Sequence, residues 1–203
     1  MSKIDFKKEL AHLYRPSAKE FSVVQVPPMS FLMIDGHGDP NTAQEYSDAV
    51  EALYAVAYKL KFTSKKEQNF DYVIPPLEGL WWVEDMSQFS VGDKSSWDWT
   101  MMIMQPEQIT QEMLDAAVTQ VVDKDLPALP KLRLEMYDEG LAVQIMYFGS
   151  YADEGPTIAR MHDFIHNEGY ERAGKHHEIY ISDPRRVAPE KLKTVIRQPI
   201  RRA

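Results

Sequence analysis

A chain of 203 residues with 44% hydrophobic side chains can bury a proper core, and no run in it approaches the roughly 20 apolar residues that span a bilayer. Its 31 acids against 23 bases leave a net charge of −8, which opposes nonspecific binding to phosphate backbones. With no cysteine and a charged N-terminal stretch, it offers no disulfide, thiolate nucleophile, cysteine-bound zinc or secretory signal; a cytoplasmic protein with neither membrane nor nucleic-acid partners is expected.

Residues 1–20 read as a polar lead-in, with a short helix around Phe6, Leu10 and Leu13. Phe21 to Val26 alternates as a strand until Pro27-Pro28 breaks it. Phe31 to Ile34 is a second apolar run, ended by the turn chemistry of Gly36-His37-Gly38-Asp39-Pro40. A long helix follows from Asn41. Ala43, Tyr46, Ala49, Val50, Leu53, Val56, Ala57 and Leu60 recur at three and four to give one buried face. Tyr72 to Ile74 and Leu77 to Val83 read as strand interrupted by Pro75-Pro76, Ser87 to Ser96 as a polar loop, and Trp97 to Met104 as a further strand.

Thr110 is placed to cap a helix reaching Val122. Asp123 to Pro130 has the composition of a linker. A hairpin is expected next, Leu132 to Tyr137 and Leu141 to Phe148, turned at Asp138-Glu139-Gly140. A helix over Gly155 to Asn167, ended by Gly169, precedes strands at His177 to Ser182 and Lys193 to Gln198. The order predicts an α+β fold.

The two halves nearly repeat one another. Gly36, a helix, Glu78 before Leu80-Trp81-Trp82 and Thr100 to Pro106 are echoed by Gly149, a helix, Glu178 before Ile179-Tyr180-Ile181 and Thr194 to Pro199. Within one domain over 1–203, this divides the chain into a first module at 21–122 and a second at 131–203. Two such modules back to back would leave a cleft lined by the paired acids and the aromatics, which points to a small-molecule ligand.

Glu178 sits in an apolar strand, where burial disfavours its charge unless something compensates. An ion pair with Arg172 or Lys175 competes with a functional role, and Glu78 can equally cap the turn after Pro76. Trp81, Trp82, Trp97 and Trp99 fall within 19 residues, more than packing alone requires. Alternation places Trp97, Trp99, Met101 and Ile103 on one face and sends Trp81 and Trp82 to opposite faces. Aromatic walls around a carboxylate suit flat or cationic ligands, which cation–π contacts stabilise by about 0.5–2 kcal/mol each.

His162 and His166 share a helix face, but without a zinc-protease pattern they argue for no metal, and no cofactor motif is present. Arg185, Arg186, Arg197, Arg201 and Arg202 read as a solvated basic tail.

The chain resembles the GyrI-like small-molecule-binding family. The resemblance rests on Asp5 to Leu10 with Leu13-Tyr14, Phe31 to Gly36 through Gly38 to Asn41, Glu51 to Tyr54, and Val73 to Trp82. His177 to Pro184 and Pro189 to Thr194 extend it, so that nearly the whole chain is covered. It implies a pseudo-twofold pair of strand-helix-strand-strand modules with ligand between them. Glu178 would be the central acid, Tyr147 a catalytic tyrosine, and Trp81, Trp82, Trp97, Trp99, Tyr180 and Glu78 would line the pocket.

Relatives of that family sense multiple drugs, inhibit gyrase, or hydrolyse the cyclopropane of DNA-alkylating natural products. Residues 1–20 hold no DNA-binding helix pair, so a one-chain sensor-activator does not fit. Cyclopropanoid hydrolysis for detoxification is the activity expected. Multidrug sequestration, or a gyrase-inhibitor-like partner role, is the alternative.

Overall fold

A computed structural model describes residues 3–86 and 94–203, so most of the loop expected at Ser87 to Ser96 lies outside the described residues. Two short helices, α1 (Phe6–Glu9) and α2 (Ala11–Tyr14), come first, and the Asp5 carboxylate caps α1 by accepting the Lys7 N–H at 3.1 Å. Then follow β1 (Ser22–Val26), β2 (Met29–His37), α3 (Gln44–Glu67), β3 (Leu77–Trp82) and β4 (Asp98–Gln105). After them come α4 (Gln111–Thr119), β5 (Arg133–Tyr137), β6 (Gly140–Phe148), α5 (Gly155–Asn167), β7 (Tyr170–Arg172), β8 (His176–Tyr180) and β9 (Lys193–Arg202). Thr110 caps α4 as expected, accepting the Met113 N–H.

The strands form an α+β fold around one antiparallel sheet, ordered β1-β6-β9-β8-β3-β4-β2-β5, with β7 added against β9. The expected hairpin does not form. Asp138-Glu139-Gly140 leads from β5, which pairs with β2, into β6, which pairs with β1 and β9. Val26 faces Gly140 and Met29 faces Tyr137, so one register continues across both breaks. Residues 22–37 and 133–148 are therefore two long antiparallel strands, each bent in the middle. Pro27 and Pro28 have no N–H to give the ladder, which is why the break falls there.

This bend closes the sheet. β1 and β5 stand at opposite ends of the strand order, yet two residues connect β1 to β2 near the far end. Strands lie about 4.8 Å apart, so a flat sheet could not be bridged by so short a link, and the sheet curls until its ends meet.

One cross-strand row runs Ile145, Ile196, Glu178, Gly79, Met101 and Ile34, from β6 through β9, β8, β3 and β4 to β2. Residues so paired point to the same face. At one end of the row, α5 packs Ile158, Met161 and Ile165 with Ile145 and Ile196. At the other, α3 packs Ala49, Leu53, Val56 and Leu60 with Ile34, Trp99 and Met101. Both long helices thus lie on one face, with Glu178 and Gly79 in the row between them. The opposite face covers Leu13 and Tyr14 of α2 with Val26, Ala142, Ile179 and Val195.

Candidate functional site

In β8, alternation turns His176, Glu178 and Tyr180 towards the helix-covered face. Tyr180 Oη donates to Glu178 Oε2 at 2.8 Å, and His176 Nε2 lies 3.3 Å from Glu178 Oε1. Trp81 Nε1 donates in turn to Tyr180 Oη at 3.1 Å. Gly79 makes this last contact possible: a Cβ there would come 2.8 Å from Trp81 Nε1, so the indole can lie back over the strand only because that side chain is missing.

Aromatic rings enclose the group. Tyr46 of α3 stacks on Trp81 at 6.2 Å and meets Trp99 edge-on at 5.5 Å; Trp97 packs against Trp81 at 5.3 Å. Tyr151 meets Tyr180 edge-on at 5.5 Å. Tyr46, Tyr151 and Tyr180 are partly exposed, whereas Glu178, Trp81, Trp97 and Trp99 are buried.

A second acid completes the site. Glu154, just ahead of α5, is buried and hydrogen-bonds the Glu178 carboxylate. Burial and the Glu178 charge push its carboxyl well above the ordinary range. Burial would push Glu178 up as well, but hydrogen bonds from His176, Glu154 and Tyr180 outweigh that and hold it below its usual value. The pair therefore holds one proton, carried by Glu154.

The other expected site residues fall in three places. Trp97 and Trp99 share one face, as alternation predicts, and strand pairing puts Trp81 there with them, on the Glu178 side. Trp82 faces the other way, with Lys175 Nζ 3.3 Å above its ring. Tyr147 is on the Glu178 face, across Thr194 from Tyr180, and its hydroxyl donates to the Ser150 carbonyl at 3.0 Å.

Glu78 does not join Glu178. It is paired with Ile179, the residue after Glu178, and therefore faces the opposite side of the sheet. There it accepts from Tyr14 Oη at 2.8 Å and lies 2.9 Å from His177 Nε2. His177 Nδ1 bonds Glu139 at 2.8 Å, and Glu139 bonds Arg197 Nη1 at 3.0 Å. Arg197 also donates to Gln144 Oε1 and to the Leu13 carbonyl, which ties α2 to the sheet. Arg197 is therefore a buried member of this network and no part of a solvated tail.

Burial would lower His177, but Glu139 and Glu78 hold it up at about 9. Burial would raise Glu139, but His177 and Arg197 hold it down at about 2. The network is a paired, neutralised set of charges with a structural role.

Neither Arg172 nor Lys175 pairs with Glu178. Arg172 lies 3.4 Å from His162, which burial and the Arg172 charge push down to about 4. Among the described residues no group of histidines and acids is arranged to hold a metal ion. Two surface clefts lie away from Glu178: one of about 360 Å³ includes Asp35, Trp82 and Arg133, the other of about 420 Å³ includes Arg15, Phe148 and Lys193.

Sequence reasoning missed Glu154, His176, Tyr46 and Tyr151 as parts of the site. Glu154 stands just ahead of a helix, where the dipole alone favours an acid, so its position carries no distinctive signal. Tyr46 read as part of the buried helix face, and Tyr151 as one of the aromatics, with Tyr147 and Phe148, that close a strand of the second half.

The profile of the GyrI-like small molecule binding domain matches residues 19–201. The chain belongs to this family. Among solved structures, it is similar to an uncharacterized conserved protein from Listeria innocua, at 41% identity and TM-score 0.90, covering 98% of this chain and all of that one. It is also similar to two structures described as hydrolases from the same organism. These are 40% and 39% identical, with TM-scores of 0.87 and 0.85 over 98% of this chain and 100% of each of theirs. The EcmrR C-terminal domain shares the fold alone, at 9% identity and TM-score 0.57 over 91% of this chain and 98% of that one. No curated protein matches the chain.

Proposed function

We propose that this GyrI-like protein binds planar small molecules at the seam between α3 and α5 and hydrolyses cyclopropanoid alkylating agents there. The two halves are taken as duplicated modules, with the seam between them. The observation carrying the reading is the Glu154–Glu178 pair, a neutral acid beside an ionised one under a layer of aromatic rings. The likeness to hydrolases at about 40% identity supports turnover over binding alone.

A cyclopropane fused to a dienone is strained and electrophilic, so modest assistance suffices. Glu178 takes a proton from water as its oxygen bonds to a ring carbon, and a general base of this kind contributes about 10²–10⁴-fold. The ring C–C bond breaks, and its electron pair flows into the dienone to give a phenolate. Glu154 returns a proton to that oxygen, leaving a phenol and a primary or secondary alcohol; passage of the proton from Glu178 to Glu154 restores the pair. The net change is addition of one water. A ligand enters by displacing the partly exposed rings of Tyr46 and Tyr151. Tyr147 can assist the phenolate once it releases the Ser150 carbonyl.

The test is incubation with a cyclopropanoid alkylator, followed by mass spectrometry. Gain of one water with the wild type, lost in Glu178→Gln, is expected. Tryptophan quenching with no covalent change would leave a binding protein, and equal turnover by Glu178→Gln would remove that residue from the chemistry.

A further inference from the structure

The cleft of about 420 Å³ opens on the side of the sheet away from Glu178, where the chain turns from β8 into β9. Its floor is apolar. Met146 and Phe148 of β6 flank Tyr147, which faces Glu178, so alternation turns both of them the other way, and Ile181 joins them just after β8. Residues 14–18 form a wall, held to β6 by the Ser17 carbonyl, which accepts the Met146 N–H at 2.9 Å. Lys7, Arg15 and Lys193 line the same cleft, and among the described residues no Asp or Glu does. No described carboxylate lies within ion-pair distance of these three charges, and none of the three side chains makes a hydrogen bond. Phe148 is 50% exposed, with Lys193 Nζ 5.4 Å from its ring centre. In a chain of 31 acids and 23 bases, three unpaired cations in one cleft reverse the overall balance. A solvated basic face accounts for the cations but not for an exposed ring and a hollow among them.

We propose that this cleft is a second binding site, which takes a small amphiphilic carboxylate. The head group sits among Lys7, Arg15 and Lys193, where the Arg15 guanidinium can grip both of its oxygens. The apolar body lies along Phe148, Met146 and Ile181 and removes the exposed ring from water. Cations gathered in a cleft with low-dielectric walls concentrate an anion there more strongly than the same charges spread over a surface. The volume falls within the roughly 300–1,000 Å³ of small-molecule pockets, which fits one short chain or one ring and not a polypeptide. The sheet separates this cleft from Glu178, so the assignment does not depend on the chemistry proposed there.

Isothermal titration calorimetry of the whole chain with decanoate tests this. The expected dissociation constant is below about 1 mM and rises as salt is added. It rises at least about tenfold in the double variant Arg15→Glu, Lys193→Glu, whose side chains are exposed, with circular dichroism showing an intact fold. Phe148→Ser weakens binding as well, whereas Glu178→Gln leaves it unchanged. Inorganic phosphate, which has no apolar body, binds at least about tenfold more weakly than decanoate. Absence of decanoate binding, binding indifferent to the charge reversal, or binding lost in Glu178→Gln overturns the proposal. Flotation with phosphatidylglycerol vesicles in place of decanoate binding also overturns it, because the cleft would then be a membrane-facing surface.

Discussion

Glu154 is hydrogen-bonded to Glu178, and the two buried carboxyls hold one proton between them. Two carboxylates in contact and out of water cannot both ionise, so one becomes an acid and the other stays a base. His176 and Tyr180 decide which, because their hydrogen bonds favour charge on Glu178.

Native Glu154 keeps its proton above the ordinary glutamate pKa, whereas the unfolded chain releases it. Its contribution to stability is thus fully present below that pKa and declines as pH rises towards the raised native value. Glu154→Gln should flatten this decline, measured as urea midpoints from about pH 5 to about pH 9, a window that begins just above the ordinary glutamate pKa. An unchanged slope would mean that the proton is not held.

Tyr180→Phe removes a donor that holds Glu178 low, so the Glu178 pKa should rise. The acid limb of the pH–rate profile for turnover should move to higher pH, while the fold persists. A profile that keeps its acid limb would separate Tyr180 from the titration of Glu178.

The buried network of the opposite face carries a separate pH signature. His177, raised from 6.5 to about 9, contributes stability that is complete below pH 6.5 and lost as pH climbs through about 9. That amounts to on the order of 3 kcal/mol. Glu139, lowered to about 2, contributes stability present above its unfolded pKa and lost as pH falls through about 2. His177→Leu leaves Glu78 and Glu139 facing one another and should cost about 3–5 kcal/mol in denaturant titration at neutral pH. It should affect stability far more than ligand binding at Glu178.

Gly79→Ala forces the Trp81 indole off the strand and away from Tyr180. Overpacking of this kind costs about 1–3 kcal/mol. Tryptophan emission should shift as the indole moves, and ligand-induced quenching should weaken. A variant with wild-type emission and stability would mean that the indole lies elsewhere.

Much of this was legible in the chain. The three- and four-residue recurrence from Ala49 to Leu60 is the buried face of α3, and Thr110 caps α4. The parity of Trp81 and Trp82 sends them to opposite faces, as read. Arg197 was misplaced because its partners Glu139, Gln144 and the Leu13 carbonyl lie 53 or more residues away in sequence.

Local periodicity is set by backbone geometry that repeats every few residues, so the sequence by itself determined the helices, most strand positions and the acid-and-aromatic character of the site. Pairing is a long-range choice. The unbroken register across Pro27-Pro28 made two bent strands where a hairpin was expected, and the opposition of Glu78 to Ile179 put Glu78 and Glu178 on different faces. Only tertiary contact could bring Glu154 onto Glu178, because the location of a proton depends on which charges share a dry volume, and no spacing along a chain encodes that.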